Sequence, residues 1–389
     1  MKLCTSSKVL VVSLMVLAAP GLMFAAGANV DCTGATPGAF TSISAAIASL
    51  PPVGPNSINV LSSCTENVVI FGYSNLSISA VPGTSTVTAS DANRRPLAIV
   101  NSTNISIDGI NFSGGRGVLI NNSTGVQISD GILHDSSRQG ILSLSSVVDI
   151  FNLTISNNAF AGVSASSGTF NVDGGVTITA NVRSGIAMFN GHLALNGGDG
   201  TPGTENVFSN NGGAGVVVFN SSEADIGGDN RITGNGARFA VEVIHTSTLS
   251  MTDGTIANNI GIGVHCGETS HCEWDGVTSI SNNAGGGIEI TDHSDAYIDG
   301  GINISGNTGV GVLVDLGSVF NSLGGNTINN NTGDGVIVND LSVLKFAAND
   351  TINGNGNSAL VCGNGSLVVG DVSTYKPRKC GPAFLAKPL

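Results

Sequence analysis

Lysine is almost missing from this chain. None occurs between Lys8 and Lys345, and the 389 residues set 14 Lys and Arg against 27 Asp and Glu, a formal charge of −13. Proteins that track a phosphate backbone carry a basic stripe, so nucleic acid is excluded as a main partner. Aromatics are scarce at 5%, with a single Trp, and charged residues reach only 11%. Hydrophobics nevertheless make up 41%. Disorder needs high charge and low hydrophobicity, so it is excluded too. Proline numbers 11, and the 55 glycines follow no three-residue period, which rules out collagen.

The one long apolar run lies at the start. Lys2 and Lys8 precede an apolar stretch over residues 9–19, broken by Pro20-Gly21 and followed by small residues. This reads as a secretory signal, too short for the roughly 20 residues of a membrane span. Cleavage is expected after Ala28, with Ala25 second. Later apolar runs are all interrupted by Asn or Gly, so no other segment reads as a span. Export implies an oxidising compartment, extracellular or periplasmic, and a charge of −15 once Lys2 and Lys8 are removed. The six remaining cysteines then fall into three local pairs: Cys32–Cys64, Cys266–Cys272 and Cys362–Cys380.

Abundant instead are glycine and asparagine, the latter numbering 41. Much of the asparagine belongs to a repeat. An Ile-x-x-Asn core recurs with Asn158, Asn181, Asn211, Asn235, Asn259, Asn283, Asn307, Asn331 and Asn355. The later intervals are a constant 24 residues, and each Asn is soon followed by a run such as Gly215-Val216-Val217-Val218. Such units are too short to bury a core alone. Their β-branched runs, cut by Gly, Asn and Asp, are short strands that stack coil upon coil at ~4.8 Å. The wider interval from Asn181 to Asn211 predicts a loop over residues 197–205. Identical asparagines one coil apart predict a side-chain ladder, and they suit a left-handed corner.

On these residues the chain resembles the right-handed parallel β-helix proteins of the pectate-lyase-like superfamily, secreted bacterial members above all. The resemblance implies an all-β solenoid of about 13 coils. Residues 29–65 would form an N-terminal cap and first strands, residues 66–375 the coils, and residues 376–389 a closing tail. Phe40, Ile43, Ile47 and Leu50 predict a short capping helix, and residues 58–60 and 66–70 a first strand pair. The catalytic motifs of polygalacturonases and pectin methylesterases are absent, and the Asp-Pro-His-Asp-like element of alginate epimerases has only a poor echo in Leu133-His134-Asp135. Arg116 and Arg138 end neighbouring coils without the acidic cluster that would accompany a lyase base.

Setting the coils in register produces one constellation. Glu242, His265 and Glu289 should stand in an outward column, with His245, Glu268 and Asp292 in a second and His271 beside Asp295 around the next corner. Carboxylates beside imidazole would favour its protonated form and serve acid–base chemistry or hold calcium, although no cofactor is required. Phe189 and Phe219 would flank this array as apolar platforms for sugars. Cys266 and Trp274 align with inward aliphatic positions, which favours a buried disulfide and core packing over a zinc site. The expected function is non-catalytic binding of a polysaccharide or a surface protein. Neutral glycans, or acidic ones bridged by calcium, suit the overall charge. The alternative is a polysaccharide lyase, hydrolase or epimerase using the array.

Overall fold

The computed structural model describes residues 25–347, 349–380 and 385–386; most of the signal segment and Cys4 lie outside them. The chain winds into a parallel β-solenoid of about 13 turns. Most coils contribute one strand to a 14-stranded sheet and two to a 27-stranded sheet; in Thr248–Ala257 and His271–Ser281 the latter two run on as one strand. In one coil the three are Val216–Phe219, Glu223–Gly227 and Asn230–Thr233. Alternation sends Val216 and Val218, then Ala224 and Ile226, then Ile232 inward, where all are buried. Burying a Val or Ile side chain contributes ~1.5–3 kcal/mol. Because the next coil repeats the pattern, inward columns merge into one core along the axis.

The asparagine column forms the expected ladder. From Asn158 to Asn355, each Nδ2 donates to the Oδ1 of the next at 2.8–3.1 Å. From Asn181 onward, each Nδ2 also donates to a backbone carbonyl of the preceding coil, as Asn283 does to Ile256 O at 3.1 Å. The left-handed corner is a separate matter and corrects the sequence reading. The positive φ falls on the residue before the ladder, Asn157, Ala180, Asn210, Asn258, Asn282 and Asn330 among them. The ladder residue turns inward; its neighbour makes the turn. Past the ladder the chain runs tight over the next coil, so a Cβ on Gly263 would lie 2.6 Å from Ile280 Cγ2 and 3.0 Å from Asn283 Nδ2.

A second ladder escaped the sequence reading. At the corner after the first strand, the backbone N–H of Ser222 donates to Ser247 Oγ, and the relay continues through Ser270, Ser294, Ser318 and Ser342 at 3.1–3.3 Å. The serines recur at almost the same period as the asparagines and were legible on that ground.

Residues 58–60 and 66–70 do not pair with each other. Val53–Val60 lies between Ala26–Val30 and Ser74–Ser79 in the larger sheet, whereas Val68–Phe71 opens the smaller sheet beside Leu97–Val100. The capping helix spans Ile43–Ser49 and buries Ile43, Ala46 and Ile47. Phe40 precedes it, bridged to Val30. The Glu66 carboxylate accepts from the backbone N–H of Ile43 at 2.7 Å and of Ser44 at 3.1 Å, satisfying donors that a helix start leaves open. The loop at residues 197–205 stands where expected, between His192–Asn196 and Asn206–Ser209. The disulfides are Cys32–Cys64, Cys266–Cys272 and Cys362–Cys380. Cys266, Cys272 and Trp274 are fully buried. In the tail, Arg378–Lys379 and Leu385–Ala386 add to the two sheets.

Candidate functional site

The outer face of the 14-stranded sheet carries a groove of about 590 Å³. Its floor is a single column in register, Leu142, Ser164, Ala187, Val217 and Glu242. The small side chains of Ser164 and Ala187 make the depression. One wall is the column two residues along, Ser166, Phe189, Phe219 and Ile244. Phe189 and Phe219 meet edge to face with centroids 5.5 Å apart, and Phe219 meets His245 at 4.4 Å. The other wall comes from the corners before each strand, where Phe160 sits between the guanidinium groups of Arg138 and Arg183, at 5.2 and 4.7 Å. Both distances suit cation–π attraction.

That wall continues a basic rim. Arg94, Arg95, Arg116, Arg138, Arg183 and Arg238 all occupy the corner preceding the smaller sheet, and only Arg231 and Arg378 lie elsewhere. Burial, with Arg116 and Arg138 nearby, pushes the Arg95 guanidinium below its usual range. A chain of net charge −13 thus presents nearly all of its arginine along one edge of the smaller sheet, where Arg183 lines the groove and Arg138 stands beside it across Phe160. Sequence reading missed this, although the corner frame that aligned the glycines would have aligned the arginines.

The expected columns exist, but they do not make one site. Glu242, His265 and Glu289 stand on adjacent strands in register, followed by Leu313. His245 Nε2 meets Glu268 Oε2 at 2.7 Å, both about half exposed. Asp292, the third member of that column, bonds instead with Thr291 Oγ1 at 3.1 Å. His271 Nδ1 meets Asp295 Oδ2 at 2.7 Å on the other sheet, with Glu273 at 3.9 Å. The array therefore divides between two faces of the solenoid. A further cluster, unforeseen from sequence, joins His192, Glu223 and Asp225 within 4.8 Å on the larger sheet.

His265 departs most from expectation. It was to be held protonated by its flanking carboxylates, yet its pKa is lowered to about 4, first by burial and then by the Arg238 cation, with Asp292 opposing. The cause is a local insertion. The corner from Asn235 to Val241 has one residue more than its successors, 259 to 264 and 283 to 288, and it lays Arg238 and Phe239 over the column. The Phe239 ring stacks on the imidazole at 4.1 Å and 10°. Arg238 caps Phe239 at 4.8 Å and reaches Glu289 Oε1 at 3.4 Å. His265 and Glu289 are left 9% and 7% exposed in nominally outward positions. Burial also raises Glu289, aided by Asp315 and Asp292 and opposed by Arg238. Glu242 is raised by burial and by Glu268.

No family model and no curated protein matches this chain. Solved structures do. A mutant of the periplasmic alginate epimerase AlgG matches with a TM-score of 0.52 at 14% identity, over 90% of this chain and 80% of its own. The A-module of the Azotobacter vinelandii mannuronan C-5 epimerase AlgE4 matches at 0.47 and 11%, over 85% and 91%. Pectate lyase Pel9A matches at 0.42 and 11%, over 86% and 79%. At such identities the likeness is one of fold. The chain is a parallel β-helix, a fold it shares with the AlgG epimerase structure.

Proposed function

We propose that this is an exported glycan-binding solenoid whose groove holds an extended segment of an acidic polysaccharide. The arginine rim beside an apolar, aromatic-edged floor carries the reading. Sugar rings present apolar faces that suit Phe189, Phe219 and the aliphatic floor, while carboxylates along the chain would pair with Arg138 and Arg183. The whole-protein charge argued for neutral or calcium-bridged glycans, but recognition follows the local field, and at this rim Arg138 and Arg183 supply two cations on either side of Phe160. Among the described residues no helix is long and apolar enough to cross a membrane, and three disulfides agree with an oxidising compartment. Ala26–Val30 already pairs with Val53–Val60, so cleavage after Ala25 would keep this strand whole, whereas cleavage after Ala28 would remove part of it.

Calorimetry with oligogalacturonates and neutral galactan oligomers tests the reading. The acidic oligomers should bind more tightly, with affinity falling as salt rises. Arg138→Ala and Arg183→Ala should each weaken binding roughly two- to fivefold, the scale of an exposed ion pair. Equal affinity for acidic and neutral oligomers, or indifference to both substitutions, would refute it.

A further inference from the structure

We propose that the groove continues past Glu242, beneath the Arg238–Phe239 turn, as a further subsite for one acidic sugar unit, with His265 and Glu289 as its floor. This rests on the reading of the groove as an acidic-glycan site and extends it to residues that the open groove does not reach.

Three observations carry it. The first is register: His265 and Glu289 belong to the column that forms the open floor through Ser164, Ala187 and Val217, so the floor runs on beneath the turn. The second is unmet bonding. Both residues are more than nine-tenths buried, and His265 Nδ1 and Glu289 Oε2 have no hydrogen-bond partner. Outward positions on a solenoid are normally hydrated; here the Phe239 ring occupies the space above the imidazole. Orphaned buried polar atoms call for a reason, and a ligand hydroxyl at each would supply it.

The third is that side chains alone make the cover, since the backbone beneath them belongs to the sheet: Phe239 opens the strand Phe239–Ile244 opposite Ile262, and Arg238 O accepts from Ile262 N at 2.8 Å. The Arg238 side chain is 75% exposed and touches Glu289 through one oxygen at 3.4 Å. Rotation of the Phe239 and Arg238 side chains uncovers the floor while the backbone stays in place. When they rotate, Arg238 exchanges the Glu289 carboxylate for that of the ligand. The sugar ring takes the place of Phe239, and its hydroxyls meet Nδ1 and Oε2. Both groups at the closed end are thereby satisfied.

The test combines ligand titration with a measurement that needs no ligand. Wild type, Phe239→Ala, Arg238→Ala and the Phe239→Ala/Glu289→Gln pair are titrated with short and long oligogalacturonates, and the His265 imidazole is titrated by NMR in the free proteins. In Phe239→Ala the His265 midpoint should rise toward the ordinary histidine value. Long oligomers should bind roughly two- to tenfold tighter for each hydrogen bond gained, and the shortest should be unchanged. Glu289→Gln should remove part of that gain, and Arg238→Ala should weaken the long oligomers alone. Unchanged binding of long oligomers in Phe239→Ala, with His265 uncovered, would overturn the subsite and leave the groove reading standing. A His265 midpoint unmoved in both Phe239→Ala and Arg238→Ala would overturn the cover itself. Binding by Phe239→Ala but not by wild type would sustain the subsite and overturn the open groove. Silence in every protein would overturn both.

Discussion

Replacing Asn283 with alanine removes four hydrogen bonds from the middle of the ladder. Its Oδ1 accepts from Asn259 N at 3.1 Å and Asn259 Nδ2 at 2.9 Å, and its Nδ2 donates to Ile256 O and Asn307 Oδ1, both at 3.1 Å. The partners do not suffer alike. Asn259 Nδ2 keeps carbonyl acceptors at Ile232 and Ala257, and Asn307 Oδ1 keeps the Asn283 backbone N–H. The Asn259 backbone N–H loses the acceptor that holds it in a fully buried corner, and water cannot replace it. Leaving one buried group unmet costs ~1–3 kcal/mol, and the other losses add ~0.5–1.5 kcal/mol each. The expected total is about 2.5–7.5 kcal/mol. Solenoids open locally, so hydrogen exchange is the better assay: protection should fall at the Asn259 amide and its neighbours while coils near Val118 stay unchanged. Asn355→Ala provides the comparison, because Asn355 ends the ladder half-buried, where water can reach the freed groups. If protection at Asn259 is unaltered, or if Asn355→Ala costs as much as Asn283→Ala, the ladder is not what holds this corner.

Other expectations follow from single contacts. A non-reduced digest should join Cys266 to Cys272, Cys32 to Cys64 and Cys362 to Cys380; a Cys266–Cys362 link would contradict the register of the coils. His265, lowered from 6.5 to about 4, binds its proton more readily in the unfolded chain. Stability should therefore fall as pH drops from about 6.5 through 4, and His265→Asn should flatten that part of a pH-dependent unfolding series. Glu242 and Glu289, raised by burial, work in the opposite sense, losing stability as pH rises above 4.5; Glu289→Gln should reduce that loss. Glu66→Ala should cost ~0.5–2 kcal/mol by uncapping the helix, read as lost amide protection at Ile43 and Ser44.

The sequence by itself determined the parts of this protein that repeat. In a solenoid each residue's neighbour across the sheet lies one coil away, so a 24-residue period converts directly into contacts. Asn283 could be placed on Asn259, and Glu242 beside His265 beside Glu289, by counting alone. Alternation within a strand fixed the inward direction of Cys266 and Trp274 for the same reason. The serine relay and the arginine rim obeyed this logic as well; they were present in the period but masked by the stronger asparagine signal. Tertiary structure alone decided what crosses a column from outside it. A single extra residue between Asn235 and Val241 leaves the period intact, because the register shift between Thr252 and Gly254 restores it before Asn259. Yet that residue carries Phe239 over His265 and turns an exposed imidazole into a covered one. The direction of a corner side chain depends on local backbone angles and on the shape of the surface beneath it, and neither is encoded in repeat spacing. Hence the column could be counted from the sequence, while its burial, its proton affinity and the closed end of the groove emerged only once the chain was folded.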